Sequence, residues 1–331
     1  MPKRTFEVRE DHALFDLVSY GRRGLERRLS PGQVAQVART VRRVPEVMVK
    51  VSGGGTSVDA VKAHFRYIGR EDFIIETDDG EQLNGKSAAK KLIEDWELDV
   101  DAAEAQSSYN GKPGRKPGKL VHNIVLSMPA GTPPEKVLAA SRDFARETFA
   151  LQHRYALVLH TNEPHPHTHL VVRAMGENGK RLNIRKATLR EWRREFARHL
   201  RAHGVAANAT ERPVRGETRS YKKDGIYRAQ KERGASTHMR ERAEAVAAEL
   251  LKGDLRIEPG KAKLVQTRKD VERGWLAVSE ILAHQGQPEL AADVTRFLAR
   301  MPRIATEKEL VAQELIERTR DVRTKERPTS R

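Results

Sequence analysis

The sequence predicts a mixed α/β or α+β domain over residues 46–204, with helical and basic segments on either side. Strand and helix patterns alternate through this stretch, as expected for a sheet covered by helices. Beyond residue 216 the pattern is helical and charged, and no further strand signal occurs. We therefore expect a basic helical N-terminal extension at 1–45, a sheet-containing domain at 46–215, and a basic helical C-terminal region at 216–331.

The first part of the chain supplies five predicted elements. A helix is predicted in the N-terminal extension by SPGQVAQVARTVRRV. A strand, EVMVKVSGGG, then runs into a glycine turn, and the helix TSVDAVKAHFRYIG begins with a Thr/Ser cap and ends at Gly69. A second strand and helix are predicted at DFIIETDD and AAKKLIEDWEL.

The remaining elements of this domain follow a basic, turn-rich segment, SYNGKPGRKPGK at 108–119, which predicts a surface loop. A strand is then predicted at LVHNIVLSMP, and a helix with proline in its first turn at TPPEKVLAASRDFARETFA. Two strands, RYALVLH and HTHLVVRA, are joined by a short turn. The helix ATLREWRREFARHLRAHG ends the domain, and its apolar stripe consists of Leu189, Trp192, Phe196 and Leu200.

Charge and composition narrow the functions open to this chain. Of its 331 residues, 62 are Lys or Arg and 46 are Asp or Glu, so the formal net charge is +16. This excess indicates a polyanionic partner, nucleic acid first and an anionic membrane surface second. No apolar run approaches the roughly 18 residues that a membrane span needs. The absence of cysteine excludes disulfides, thiolate metal ligands and a cysteine nucleophile. The start lacks an apolar signal-peptide core, so we expect a cytoplasmic protein.

Four of the twelve histidines lie between positions 160 and 169. Alternate side chains of a strand share a face, so His167 and His169 point the same way. A turn over the six residues TNEPHP would bring His160 beside His167. Three neutral imidazoles could then hold one divalent cation, whose charge would polarise a phosphodiester. His165 is expected in the turn and not as a ligand; a solvated histidine-rich turn or a structural zinc site are the alternatives.

Among the six tyrosines, Tyr67 is the best candidate for a nucleophile. The helix that contains it has an apolar stripe of Val58, Val61, Phe65 and Ile68. At about 100° per residue, Tyr67 points roughly 140° away from the centre of that stripe. Its hydroxyl is therefore expected to be accessible, although a plain surface tyrosine would fit the same pattern.

Four segments in the same order resemble the conjugative relaxases of the P-type mobilisation family. They are VKVSGGGTSVDAVKAHFRYIGRED, HNIVLSMP, HTNEPHPHTHLVV and LNIRKATLREWRREFARHLRAHG, and they span about 46 to 210. These enzymes are HUH endonucleases, named for the His-x-His pair that His167 and His169 match. The resemblance implies an α+β fold: a central, mostly antiparallel sheet with helices on its outer faces and the histidine hairpin in the middle.

The resemblance also implies an activity, namely the nicking of one DNA strand at an origin of transfer. Tyr67 would attack the scissile phosphate, form a 5′-phosphotyrosine and leave a free 3′ hydroxyl. His160, His167 and His169 would hold the metal, which we expect to be Mg²⁺ or Mn²⁺. Ser127 falls where the family has a serine near the DNA.

Asn162 departs from the pattern of the family, which commonly has aspartate at this position. An asparagine side chain can donate or accept hydrogen bonds and orient a neighbour, but it does not take up a proton as a carboxylate does. If the aspartate acts as a base or orients a ligand, a histidine, Glu163 or water must replace it here. Asn162 is nevertheless expected to belong to the catalytic site.

A strongly basic stretch indicates where DNA would bind. Residues 181–240 contain 17 Lys and Arg against 6 Asp and Glu. A solvated helix face would show the same pattern, but an excess of one sign on this scale is what contacts to DNA phosphates require. Besides Ser127, the expected DNA contacts are Arg185, Lys186, Arg190 and Arg194.

The C-terminal segment LIERTRDVRTKERPTSR is rich in arginine. A solvated helix end would explain it, but relaxases often use such a tail as a signal for a type IV secretion channel. The resemblance thus implies three partners: single-stranded DNA at the origin of transfer, accessory relaxosome proteins and a type IV coupling protein. It also implies a bacterial cytoplasmic location, a plasmid or integrative element as host, and passage into the recipient cell with the bound strand.

Three rival interpretations are open at the level of sequence. The segment GEQLNGKS at 80–87 satisfies the Walker A pattern, although the strand before it is short and ends in acidic residues. HPHTHLVV also fits the pattern of histidine-triad nucleotide hydrolases, in which a histidine is the nucleophile, but this leaves Tyr67 and the basic tail without a role. A basic DNA-binding module with a structural metal would bind DNA and never cut it.

Overall fold

The computed structural model describes residues 28–70, 73–109, 117–217, 236–253 and 255–325. These residues form two compact units. One unit comprises the described residues between Arg43 and Ala209, and the other combines the described residues before Arg43 with those from Thr210 onward. The domain limits at 45/46 and 215/216 stay a prediction.

Ten helices and six strands are defined within the described residues, together with a 3₁₀ turn at Arg212–Arg215. In chain order they are α1 Pro31–Val41, β1 Met48–Gly53, α2 Val58–Ile68, β2 Ile75–Thr77, β3 Gln82–Leu83, α3 Gly85–Asp95, α4 Leu98–Tyr109, β4 Val121–Ser127, α5 Pro134–Phe149, β5 Tyr155–His160, β6 His167–Arg173, α6 Lys186–Ala202, α7 Thr237–Leu251, α8 Lys261–His284, α9 Pro288–Ala299 and α10 Glu307–Lys325.

All six strands join one sheet in the order β1-β4-β6-β5-β2-β3. Every pair of neighbouring strands in this sheet is antiparallel. The predicted fold class, an α+β domain with a central antiparallel sheet flanked by helices, is confirmed.

One face of the sheet packs against α5 and α6. Alternate residues of β4 and β6, among them Ile124 and Leu170, are fully buried there. An aromatic cluster fills the space beneath the helices, with the Phe144 and Trp192 ring centroids 6.4 Å apart. The predicted stripe of α6 is confirmed, because Trp192, Phe196 and Leu200 are all buried in this core. Edge-to-face contacts between such rings add to the free energy gained from burial.

The opposite face packs against α2, α3 and α4. Val171 of β6 and Val158 of β5 point to this side and contact Phe65 and other apolar residues of the helices. The Phe65 and Trp96 rings meet edge to face, with centroids 5.6 Å apart. Arg173, at the end of β6, donates to the buried carboxylate of Asp101 on α4 at 2.9 Å, which ties this helix layer to the sheet.

Both ends of α2 match the prediction. The Ser57 hydroxyl accepts a hydrogen bond from the backbone N–H of Ala60 and so caps the first turn. Gly69 closes the helix, and its N–H donates to the carbonyl of Phe65 at 2.9 Å. The last turn of α2 therefore lies over the sheet, with Tyr67 within it.

The segment that matches the Walker A pattern has a different structure. Residues 82–83 form the strand β3, which pairs with β2 in a short antiparallel hairpin: Ile75 lies opposite Leu83. Because a strand occupies part of this segment, no continuous loop is left to wrap phosphates. The pattern is therefore a coincidence of composition. β3 and α4 were not predicted from the sequence.

The predicted loop at 108–119 is only partly described. Ser108 and Tyr109 belong to the end of α4, residues 117–119 are irregular, and residues 110–116 lie outside the described residues.

The second unit is helical throughout its described part, as predicted. α1 packs with α8 and α9 around the buried Trp275 and Phe297, whose ring centroids lie 5.4 Å apart. The indole N–H of Trp275 donates to the carbonyl of Val214 at 2.9 Å. Among the described helices, none is both long and apolar enough to span a membrane.

Candidate metal and nucleophile site

The site is centred on the hairpin of β5 and β6. The strands are separated by the six residues 161–166, and His160 lies directly opposite His167 in the antiparallel register. His169 is two residues further along β6 and points to the same face. The predicted hairpin, with three histidines on one face, is confirmed.

The three imidazoles are close enough to hold one metal ion. One nitrogen of each lies within 4.8 Å of the corresponding nitrogens of the other two. The ring centroid of His160 is 4.4 Å from that of His169 and 5.4 Å from that of His167. His160 is buried and the other two are half-buried, so the cluster opens to solvent on one side.

Hydrogen bonds orient two of the rings. Nε2 of His160 is 2.7 Å from the carbonyl oxygen of Ile68, and Nδ1 of His167 is 2.9 Å from that of His165. A carbonyl only accepts, so each of these nitrogens carries the proton, and the other nitrogen of the ring keeps its lone pair. Histidines that bind metals commonly donate their other ring N–H to a carbonyl in this way.

His169 also has a ring nitrogen with an available lone pair, but no hydrogen bond to a carbonyl of the described chain orients its ring. Its Nδ1 is buried and has no hydrogen-bond partner among the described residues. Burial, reinforced by His160, His167, His64 and Arg70, lowers the pKa of His169 to about 3. The ring is therefore neutral near pH 7, which is the form that binds metals. Three convergent imidazoles, one of which has a buried nitrogen without a partner among the described residues, fit a divalent cation.

Tyr67 stands beside this cluster. Its side chain is 47% exposed, whereas Val61, Phe65 and Ile68 of the same helix are buried. The predicted accessibility of this tyrosine is confirmed. Its ring is nearly perpendicular to that of His169, with centroids 6.4 Å apart. The last turn of α2 and the histidine face of the sheet therefore form one site.

Two neighbours of Tyr67 on the same side of α2 were missed by the sequence analysis. The guanidinium carbon of Arg70 lies 4.3 Å from the centroid of the Tyr67 ring, a cation–π distance. The ring of His64 stacks near Tyr67 at 6.3 Å, and its buried Nε2 has no partner among the described residues. Burial, with a contribution from His160, lowers the pKa of His64. The three-residue spacing of positions 64, 67 and 70 could have indicated that these side chains are neighbours.

Phe73 completes the surroundings of the buried ligand. Its ring stacks on His160 with centroids 4.5 Å apart. This contact was also not predicted.

Two other residues were predicted to belong to the site, Ser127 and Asn162. Ser127 is opposite His167 in the β4–β6 register, but it is buried, and its hydroxyl contacts the carbonyl of Met128 at 3.4 Å. Asn162 is exposed in the turn between β5 and β6.

The four basic residues of α6 are not brought to the histidines. α6 covers the opposite face of the sheet. Arg185, Lys186 and Arg190 are exposed near its start, and Arg194 forms an ion pair with Glu191 at 3.3 Å. If they bind DNA, they bind a part of it remote from the histidine cluster.

The other tyrosines compete poorly with Tyr67. Tyr155 is buried beneath α5, and burial raises the pKa of its phenol, which makes it a weak nucleophile. Tyr20, Tyr221 and Tyr227 lie outside the described residues, and so does the side chain of Tyr109.

Comparison with known proteins places this site in a family. Residues 67–205 match the family model described as a relaxase, MobA/VirD2-like, nuclease domain. The match begins at Tyr67 and contains all three histidines. This match covers 139 of the 331 residues. The resemblance to relaxases that the sequence motifs indicated is thereby confirmed, and membership of the P-type subfamily remains compatible with it.

Curated relatives are the T-DNA border endonucleases VirD2 of three bacteria. The chain is 32% identical over 110 residues to that of Agrobacterium fabrum (strain C58 / ATCC 33970), which covers 30% of this chain and 25% of the relative. Identity to the Rhizobium radiobacter protein is 31% over 107 residues, covering 29% and 25%. For Rhizobium rhizogenes it is 31% over 108 residues, covering 30% and 25%. The matched part thus spans about a quarter of each relative.

A solved structure titled "Molecular Basis of Vancomycin Resistance Transfer in Staphylococcus aureus" aligns with 51% of this chain and 99% of its own. The TM-score is 0.31 and the sequence identity 15%, a likeness too low to bear on the relaxase domain.

The geometry predicts unequal roles for the four clustered histidines. His160→Ala, His167→Ala and His169→Ala should each lower the affinity for Mn²⁺ by at least about tenfold, because a cation held by three imidazoles loses both a ligand and its geometry. Isothermal titration calorimetry of the purified full chain measures this. His165→Ala is the control, since His165 contributes its backbone carbonyl to His167, and alanine retains that group. Equal losses in all four variants would contradict this ligand set.

Proposed function

We propose that this chain is a site- and strand-specific DNA nickase that cuts at an origin of transfer and pilots the cut strand in conjugation. The observation that carries the proposal is the position of Tyr67: an accessible phenol, 6.4 Å from His169 between ring centroids, beside three convergent imidazoles. A hydroxyl nucleophile next to a cluster able to hold a cation is the arrangement that phosphodiester transfer requires. The relaxase nuclease domain supports the same reaction class.

The reaction exchanges one phosphate ester bond for another, so the bond energy is retained in the product. The phenolic oxygen of Tyr67 forms a bond to phosphorus, and the bond from phosphorus to the 3′ oxygen of the preceding nucleotide breaks. The phenol loses its proton, and the 3′ oxygen gains one. The products are a 5′-phosphotyrosine and a free 3′ hydroxyl, and attack by such a hydroxyl on the phosphotyrosine rejoins a strand.

The protein's own residues prepare this step. A divalent cation, when bound to His160, His167 and His169, supplies charge that polarises the non-bridging oxygens of the phosphate. Arg70 holds the Tyr67 ring by its face and adds positive charge where the phosphate must lie. Ile68 and His165 accept the imidazole N–H groups and so keep the ligand lone pairs directed inward.

The wider properties of the chain suit this role. A net charge of +16 favours association with DNA. Single-stranded DNA at the origin, accessory relaxosome proteins and a type IV coupling protein are the proposed partners, with Mg²⁺ or Mn²⁺ as the proposed metal. We further propose that the protein acts in the bacterial cytoplasm and passes into the recipient cell with its strand.

The alternatives are less well supported. A histidine-triad hydrolase has no use for an exposed tyrosine beside the cluster, and it would release a mononucleotide and not a protein-linked strand. A DNA-binding module with a structural metal would give no cut product at all.

Tyr67→Phe should lower the cleavage rate by a factor of at least about 10³, because it removes the attacking oxygen. The substitution keeps the ring that contacts Arg70 and His64. DNA binding should change less than about twofold. A library of single-stranded DNA is incubated with the protein and Mn²⁺ and then denatured, and the 5′ ends linked to protein are sequenced, which also yields the cut site.

Tyr155→Phe is the matched control for the loss of a phenol, and it should leave cleavage intact. Mass spectrometry should locate the phosphotyrosine at Tyr67. A phosphotyrosine at another position would overturn the assignment of the nucleophile, and wild-type protein without any adduct would overturn the proposed activity.

Asn162→Asp should preserve or raise the cleavage rate, since a carboxylate can orient a neighbouring imidazole and take up a proton, which the amide cannot. The substitution lies in an exposed turn, so folding should be unaffected. Single-turnover kinetics on the recovered cut site measure the effect. A severe loss of rate with a normal unfolding temperature would mean that this site depends on the amide.

Deletion of residues 317–331 should leave cleavage in vitro unchanged and lower the frequency of conjugation by at least about tenfold. Residues 317–320 are exposed, and among the residues of α10 whose burial is described, 307–320, the last buried one is Ala312, so we expect the helix to keep its packing. A segment recognised only by a coupling protein can be remote from the site. The measurements are strand cleavage and mating frequency; normal mating by the deletion variant would contradict a transfer signal in this segment.

A further inference from the structure

A second basic site lies on the other side of the sheet, where β1 and β4 meet the segment before α6. It is a groove with a volume of about 570 Å³. Lys119 and Arg181 form its cationic rim, and His122 and Asn183 supply neutral polar groups. Aliphatic side chains, including Val51 and Leu182, form the floor. No acidic residue is among the described residues that line it.

This groove is separate from the histidine cluster. His122 shares its sheet face with Ile124 and Leu126, which pack against α5 and α6, whereas the metal-site histidines face α2. Along β4, His122 is five residues from Ser127, which pairs with His167. At about 3.3 Å per residue, that is roughly 17 Å along the strand.

The two cations of the groove are held in place by backbone and not by carboxylates. The ammonium of Lys119 donates to the carbonyl of Gly53 at 3.2 Å, and the guanidinium of Arg181 donates to the carbonyl of Lys119. Within the described part of the chain, neither forms an ion pair with Asp or Glu. Their charge is therefore available to an anion from outside.

Two glycines allow these cations to approach the backbone. A Cβ on Gly118 would lie 2.7 Å from a terminal guanidinium nitrogen of Arg181. A Cβ on Gly54, whose φ is +154°, would lie 2.8 Å from Cδ of Lys119 and 2.3 Å from the carbonyl oxygen of Val121. The glycine-rich segment at 53–55 thus makes room for the Lys119 side chain.

His122 contributes an uncharged aromatic ring to the lining of the groove. Its Nδ1 is buried and has no partner among the described residues, so this atom is not exposed to the groove. Burial, with Lys119 and Arg181 nearby, lowers the pKa of His122 to about 4. The ring is therefore neutral near pH 7, and the positive charge of the groove comes from Lys119 and Arg181.

We propose that this groove binds a nucleotide unit of single-stranded DNA outside the cleavage site, with a backbone phosphate on Lys119 and Arg181 and the sugar or base on the aliphatic floor beside His122. The inference rests on the proposed nickase function for the identity of the polymer. Positive charge for the phosphate and an apolar floor for the sugar or base are together what a nucleotide unit of a single strand requires. The strand would thereby be held at two places on opposite faces of the sheet.

The test measures equilibrium binding in the full chain carrying Tyr67→Phe, so that no covalent adduct forms. Fluorescence anisotropy with labelled oligodeoxycytidine is recorded over a range of salt concentrations. Lys119→Gln and Arg181→Gln should each weaken binding roughly three- to tenfold and reduce the slope of log K against log salt by about 0.7. Lys180→Gln, an exposed neighbour with the same charge change, should alter affinity less than about twofold.

Two further variants separate binding from folding. Gly118→Ala keeps the charge but displaces Arg181 and should weaken binding while leaving the unfolding temperature near that of the parent. Arg181→Lys keeps the charge and should retain more affinity than Arg181→Gln. If Lys119→Gln and Arg181→Gln bind like Lys180→Gln, the groove does not contact the strand and the proposal is overturned.

Competition distinguishes a polymer from a free nucleotide. Deoxycytidine monophosphate should displace the oligonucleotide poorly. If the free nucleotide binds as tightly as the oligonucleotide, the groove is not a subsite for a DNA strand. The nickase is tested separately by adduct formation in the chain with Tyr67 intact. If the chain with Tyr67 intact forms no adduct but Lys119→Gln and Arg181→Gln still weaken binding, the nickase proposal alone is refuted. If the adduct forms but these two variants bind normally, the groove proposal alone is refuted.

Discussion

The register between β5 and β6 is the constraint on which the rest of the site depends. It sets His160 opposite His167 and keeps His169 on the same face, whereas a slip of β6 by one residue would turn both β6 histidines toward α5 and α6. The apolar positions of β6 resist such a slip, because Leu170 and Val171 are fully buried on opposite faces. Thr168 adds a polar anchor, since its hydroxyl accepts from Ser141 of α5 at 3.1 Å.

A hydrogen bond joins this hairpin to α2, the helix that contains Tyr67. The carbonyl of Ile68 belongs to the last turn of α2, where carbonyl groups lack partners within the helix. His160 donates to it at 2.7 Å. The bond therefore satisfies a helix terminus and also fixes the tautomer of one of the three clustered histidines. It also holds the end of α2 next to the cluster, where its negative dipole end would face a bound cation.

The two faces of the sheet differ in how completely they are packed. Beneath α5 and α6, aromatic rings from Phe144, Phe149, Trp192 and Phe196 form a close-packed core, and such burial supplies most of the free energy of folding. Beneath α2 the packing is interrupted by the half-buried histidines. Burial at this rim keeps His169 neutral, while the open side gives a substrate access to it. The groove at Lys119 repeats the same principle at another rim of the sheet, with neutral His122 between two cations.

Local patterns determined much of this protein from the sequence. The alternation of β6 already placed His167 and His169 together, the helical periodicity of α2 exposed Tyr67, and the short turn of residues 161–166 implied a hairpin. Each of these follows from the repeat of a single element and needs no partner. The two-residue strand β3 carries no such repeat, because it exists only through its pairing with β2. This is why β3 was not predicted.

Only the tertiary structure decided what surrounds these residues. The bond from His160 to Ile68 spans 92 positions of the chain, and the bond from Arg181 to Lys119 spans 62; no local repeat relates residues so far apart. Phe73 lies in an irregular segment, and its stacking on His160 depends on how the chain returns from α2 to β2. The sequence by itself determined the residue types and the faces of their own helices and strands. The packing of helices against the sheet decided which faces meet. Burial of any two apolar surfaces that fit closely is favourable, and whether two surfaces fit depends on the whole domain.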